Sequence, residues 1–92
     1  MVKVKFFAYI RDFTGCKEAD FPLFETAGSL VKALCDHYGE TMREKLLSKD
    51  GNDFNSEIII LINGRHVIHL GGFNAPIKEA DTIQIFPMVA GG

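Results

Sequence analysis

Cysteine is scarce in this chain of 92 residues, where Cys16 and Cys35 are the only two. Two thiols are too few for the disulfide framework of a small secreted domain, and an iron–sulfur cluster requires four. Both are expected to be reduced. Cys35 falls on an apolar helical stripe and reads as core filler, while Cys16 falls in a turn with no base beside it to activate a thiolate. Charge of one sign is lacking too. Ten basic residues oppose twelve acidic ones for a formal charge of −2, and the basic ones are scattered from Lys3 to Lys78. There is thus no basic stripe for nucleic acid and no electrostatic anchor for an anionic membrane. Long apolar runs are also missing: the longest, Ile58 to Ile62, is far short of the roughly 20 residues that a membrane-spanning helix needs. Met1 leads directly into an alternating segment rather than a signal peptide, so the expected location is the cytoplasm.

The motifs of several chemistries are absent. The sequence contains no G-x-x-x-x-G-K-[ST] phosphate loop, no G-x-S-x-G nucleophile turn and no H-E-x-x-H pair. Asp50, Asn52, Asp53 and Asn55 lack the ligand pattern of a calcium loop, so a solvated loop is expected there. His66 and His69 sit in a stretch that reads as a strand, where residues three apart face opposite ways and cannot grip one ion. No metal site is expected.

What is present is a globular composition, 47% apolar and 24% charged, of a length suited to one core. Val2, Val4, Phe6, Ala8 and Ile10 alternate, which predicts a strand over 2–10 with Phe7 and Tyr9 on its other face. A turn through Arg11 to Gly15 leads to a second extended stretch over 19–24. After a break at Gly28, Ser29 is a plausible N-cap for a helix whose stripe is Leu30, Val31, Leu34, Cys35 and Tyr38, and Gly39 is its stop. A shorter helix over 41–47 and a loop follow. A strand over 57–62 then turns at Asn63-Gly64 into another over 65–70, broken by Gly71-Gly72. The last strand spans 82–86 and exits at Pro87, which cannot donate to a ladder. The fold class is α+β, with one domain over 1–86 and a tail over 87–92.

That tail, Pro87-Met88-Val89-Ala90-Gly91-Gly92, is oily where terminal segments tend to be polar. Two glycines without Cβ atoms let the backbone thread a narrow channel. A Gly92 carboxylate, ionised at neutral pH, is an unhindered acyl group. If a partner uses ATP to form its acyl-adenylate, the carbonyl can pass to sulfur or to an amine. Residues 87–90 supply a stiff exit and apolar anchors for docking in an extended groove. Phe7, Tyr9 and Phe86 are expected to form an aromatic partner-binding patch beside the tail if the first and last strands are neighbours.

The segments "VKVKFFAYIRDFTG", "INGRHV" and "APIKEADTIQIFPMVAGG" together resemble the MoaD branch of the MoaD/ThiS sulfur-carrier family, the small subunits of molybdopterin synthase. The resemblance implies a ubiquitin-like β-grasp, a mixed sheet wrapped over one main helix. It further implies that an E1-like adenylyltransferase activates Gly92 with ATP and that a sulfur-transfer protein converts it to a thiocarboxylate. The molybdopterin synthase large subunit, which holds the catalytic pocket, would then use that sulfur to convert precursor Z to molybdopterin. The carrier would bind no cofactor tightly and would not be an enzyme on its own. A thiamin-type carrier and a ubiquitin-like modifier conjugated through Gly92 share the same activated tail. Two positions depart from the family pattern: Met88 stands where a second proline is common, and Ala80 where a turn glycine is common.

Overall fold

A computed structural model describes residues 1–88. Its elements are β1 (Val2–Phe6), α1 (Ile10–Thr14), β2 (Glu18–Phe21), α2 (Ala27–Tyr38), α3 (Glu40–Leu46), β3 (Ile58–Ile62), β4 (Arg65–His66) and β5 (Thr82–Pro87). The strands form one sheet in the order β2-β1-β5-β3-β4. β1 and β5 run parallel, and the other neighbouring pairs are antiparallel. The last strand in sequence is therefore the middle strand in space.

Alternation decides which side of the sheet is oily. Val2, Val4 and Phe6 of β1, Ile58, Ile60 and Ile62 of β3, and Ile83 and Ile85 of β5 are buried. They share one core with Leu30, Val31, Leu34 and Cys35 of α2. Such side chains each contribute about 1.5–3 kcal/mol when withdrawn from water. The result is a mixed sheet wrapped over one main helix.

Four local departures from the sequence pattern have physical causes. β1 ends at Phe6, because the Phe7 carbonyl accepts from the Ile10 N–H (3.2 Å) and the Ala8 carbonyl from the Arg11 N–H (3.1 Å), which curls the chain into α1. Ala8, at φ 52°, points outward rather than into the core, and Ile10 is buried as the first residue of a helix. Secondly, α2 begins at Ala27. Thr26 is the N-cap, and Ser29 completes a capping box with it. Gly28 is no break: a Cβ there would lie 2.4 Å from the Phe73 ring and 2.6 Å from the Phe73 carbonyl oxygen. The glycine permits a close approach, not a bend.

Thirdly, the strand expected over 65–70 stops at His66, and Val67–His69 form a 3₁₀ turn. The His66 imidazole Nδ1 accepts from the Ile68 N–H at 3.1 Å and so caps that turn. A second such turn covers Gly72–Asn74. Fourthly, β5 includes Pro87, one residue past the expected limit of the strand and of the 1–86 domain. Met88 N–H donates to the Glu57 carbonyl (2.6 Å) and Asn63 N–H to the Thr82 carbonyl (2.8 Å). With Ile58 opposite Pro87 in register, the bonded pairs alternate so that Pro87 falls at a position where β3 asks for no donor. On its other side, the Phe7 carbonyl is already taken by α1. The missing N–H is not missed.

Candidate functional site

The outer face of the sheet changes character along the strands. Near the start of β1, Lys3 pairs with Glu18 of β2 at 3.1 Å in an exposed ion pair. This pairing raises the lysine pKa above its ordinary 10.5 through the hydrogen bond and charge of Glu18. Further along, the face turns aromatic. Phe7 and Phe86 stack with ring centroids 4.2 Å apart and planes 13° from parallel, close enough for direct π contact. The parallel register of β1 and β5, with the Phe7 N–H bonded to the Ile85 carbonyl, brings them together.

Phe86 also stands opposite Ile59 in the β3–β5 register. Ile59 and Leu61 are half-buried while their neighbours Ile58, Ile60 and Ile62 are buried. The apolar strand over 58–62 thus has one covered face and one partly open face. Arg11 completes the group: its Nε donates to the Phe6 carbonyl at 2.8 Å, and its guanidinium lies 5.6 Å from the Phe7 ring centroid. Neither Ile59, Leu61 nor Arg11 was singled out from the sequence. Alternation within the run over 58–62 was the signal for the first two, and nothing local marked Arg11.

Tyr9 belongs elsewhere. Because β1 ends before it, Tyr9 does not continue the Phe7 face. It is 41% exposed, meets Phe13 edge-on at 6.1 Å and carries the Lys45 ammonium 5.8 Å from its ring centroid. The expected three-residue patch is an aromatic pair with a separate tyrosine.

Of the tail positions, Pro87 is buried in β5 and Met88 is 53% exposed. Val89, Ala90, Gly91 and Gly92 lie outside the described residues. Met88 is part of the lining of a cleft of about 610 Å³, together with Phe54, Ile58, Ile68, Phe73 and His66. His66 and His69 are not on opposite strand faces: the 3₁₀ turn brings their rings to 6.1 Å. The extended-strand reason for excluding a shared ion does not apply. Among the described residues, no group of three His, Cys, Asp or Glu side chains is placed to hold a metal. Burial pushes the Cys35 thiol up to about 11, so it is un-ionised at neutral pH.

The described geometry is that of a β-grasp domain: a sheet wrapped on one helix, with an aromatic pair on its outer face where β1 and β5 meet. The chain belongs to the ThiS family, which it matches over residues 4–92, a family of ubiquitin-like sulfur carriers. It is similar to small archaeal modifier protein 3 of Haloferax volcanii, at 30% identity over 99% of this chain and 98% of that one. It is also similar to a putative sulfur carrier protein of Archaeoglobus fulgidus, at 34% identity over 73% of this chain and 74% of the relative. A crystal structure of the Amycolatopsis orientalis BexX/CysO complex contains a chain of the same fold. The two superpose with a TM-score of 0.85 at 25% identity, covering 100% of each. Among the described residues, no helix is long and apolar enough to cross a membrane.

Proposed function

We propose that this chain carries sulfur on Gly92 and delivers it as the small subunit of a molybdopterin synthase. The observation that supports it most directly is that the family match runs through to Gly92. The Gly92 carboxylate attacks the α-phosphate of ATP on an E1-like adenylyltransferase, releasing pyrophosphate and leaving an acyl-adenylate. The persulfide of a sulfur-transfer protein then displaces AMP to give an acyl disulfide, and a thiol attacks the protein-side sulfur of that bond, forming a disulfide with the sulfur-transfer protein and releasing Gly92 as a thiocarboxylate. Gly91 and Gly92 admit the backbone to the narrow sites where this occurs, while Pro87, Met88, Val89 and Ala90 serve as the threading segment. Phe7 and Phe86 form the apolar centre of the partner contact, and Tyr9 lies outside it. The chain itself holds no cofactor tightly. The catalytic pocket belongs to the large subunit, where sulfur passes to precursor Z.

A second reading is favoured by the 30% identity to a small archaeal modifier along nearly the whole chain. In it the same adenylate is attacked by a target lysine, giving an isopeptide at Gly92. Intact mass spectrometry of the protein from cells, with fragmentation to locate changes, separates the two. Replacement of one terminal oxygen by sulfur on a polypeptide ending at Gly92 is the expected result, together with molybdopterin formation when a large subunit and precursor Z are added. Diglycine remnants on lysines of other proteins, without a thiocarboxylate, would replace the carrier by the modifier. Binding to a thiazole synthase alone would move the sulfur to the thiamin pathway.

A further inference from the structure

The hairpin of β3 and β4 turns on Asn63-Gly64, a pair prone to deamidation because a glycine nitrogen, unshielded by a Cβ, readily reaches the asparagine Cγ. In that reaction the Gly64 nitrogen gives its proton to solvent and bonds to Asn63 Cγ. The Cγ–Nδ2 bond breaks, and the amide nitrogen leaves as ammonia. Water then opens the five-membered imide, at Cγ to leave aspartate or at the backbone carbonyl to leave isoaspartate. Solvent is at hand, since both residues are exposed and a Cβ on Gly64 would meet nothing within 4 Å.

The turn itself stands in the way. Asn63 at φ 50° and Gly64 at φ 84° are the central residues of a type I′ turn, in which the first ψ is about +30°. The imide needs the Gly64 nitrogen nearly eclipsed with the Asn63 Cβ, so the peptide between them must rotate out of the turn before the ring can close. The side chain is pinned as well. Its Oδ1 accepts from the Thr82 N–H at 2.9 Å and its Nδ2 donates to Asp81 Oδ1 at 2.8 Å, while the Asn63 N–H donates to the Thr82 carbonyl at 2.8 Å. Asp81 is fixed in its turn: its Oδ2 accepts from the Lys78 N–H at 2.8 Å, and its carbonyl from the Lys3 N–H at 3.0 Å. Three bonds of Asn63 thus go to the start of β5, and both rotations wait on the departure of that strand.

We propose that Asn63 is a deamidation site which the domain keeps closed: it converts to aspartate or isoaspartate in chains whose β5 has parted from the β3–β4 turn, and the product cannot rebuild the clamp. In the aspartate form a carboxylate oxygen replaces the Nδ2 donor opposite Asp81, so that two like charges face each other. The isoaspartate form adds a backbone carbon to a turn of two residues. The inference is independent of the chemistry proposed for Gly92.

Peptide mass spectrometry of protein aged at mildly alkaline pH, with fragmentation that tells the two products apart, follows the reaction at Asn63. The folded parent is expected to react at least roughly tenfold more slowly than the same chain in denaturant. Asp81→Ala, which deletes the acceptor of Nδ2, is expected to speed the reaction about fivefold while folded, the scale of one hydrogen bond. Equal rates in the folded and denatured parent would overturn the proposal, as would an Asp81→Ala rate equal to that of the folded parent. Should Asp81→Ala fail to fold, graded urea on the parent decides: the rate is expected to climb with the unfolded fraction, and a flat profile across the transition would overturn it. Asn63→Asp tests the fate of the product. It is expected to lower the folded-to-unfolded ratio about tenfold in the parent and much less beside Asp81→Ala, a coupling that a double-mutant cycle reads. Equal losses in the two backgrounds would remove Asp81 as the group that shuts the product out.

Discussion

Phe6 and Phe7 are adjacent and chemically identical, and they lie on opposite faces of the sheet. Phe6 is fully buried and meets Tyr38 of α2 edge-on at 5.8 Å, so its ring ties the sheet to the helix. Phe7 is half-buried on the other face, where its main partner is Phe86 rather than the core. The alternation of β1, carried one residue past its end by the Phe7 N–H bond to the Ile85 carbonyl, separates them, because successive side chains of extended chain leave on opposite sides. The difference teaches that hydrophobicity at a position says little about whether its side chain enters the core or stays on an open face. The side of the sheet on which it emerges says much more.

The comparison breaks if both phenylalanines act on stability alike. Phe6→Ala is expected to cost about 3–5 kcal/mol by leaving a core cavity, read from denaturant unfolding. Phe7→Ala or Phe86→Ala is expected to leave the fold nearly as stable but to weaken binding to the activating enzyme or large subunit by about 2–4 kcal/mol, as aromatic anchors at interface centres do. Calorimetric titration checks it, and affinity unchanged by both would remove the aromatic pair from the interface. Gly28→Ala sharpens the contrast from the core side. Its new methyl group meets a backbone carbonyl as well as the Phe73 ring, for a loss on the order of 1–3 kcal/mol in stability with partner affinity intact. The smallest effect runs the other way. Ala80 is held at φ 69°, where a Cβ is strained, so Ala80→Gly should raise stability by about 0.5–1 kcal/mol, seen as a higher unfolding midpoint with binding unaltered.

Much of this could be read from residue order. The helix stripe from Leu30 to Tyr38, its stop at Gly39, the Asn63-Gly64 turn and the apolar core face of β1 rest on local periodicity and turn chemistry, and the structure places them as the pattern indicates. What was illegible depends on contacts between distant segments. Ala8 and Ile10 fit a period of two by coincidence, and only the hydrogen bonds of Phe7 and Ala8 show the chain curling instead. Gly28 resembles a helix break until Phe73 is seen against it. Val67 to Leu70 are apolar enough for a strand, yet the His66 cap diverts them into a tight turn. At the candidate site, the nearness of Phe7 and Phe86 followed from the condition that the first and last strands be neighbours, which the sheet order meets. Ile59 and Arg11 are brought to it by register and by a bond to backbone that no local pattern encodes.

The central place of β5 has a consequence for timing. One β hairpin, β1 with β2, lies on one side of it and the other, β3 with β4, on the opposite side, so neither half can join the other until Thr82–Pro87 has inserted between them. Such pairing of residues far apart in sequence is slow to nucleate and all-or-none once achieved. Presentation of the segment beyond Pro87 is thereby tied to completion of the whole domain: an enzyme that grips both the sheet face and the strand exit would meet them together only on chains that have finished folding.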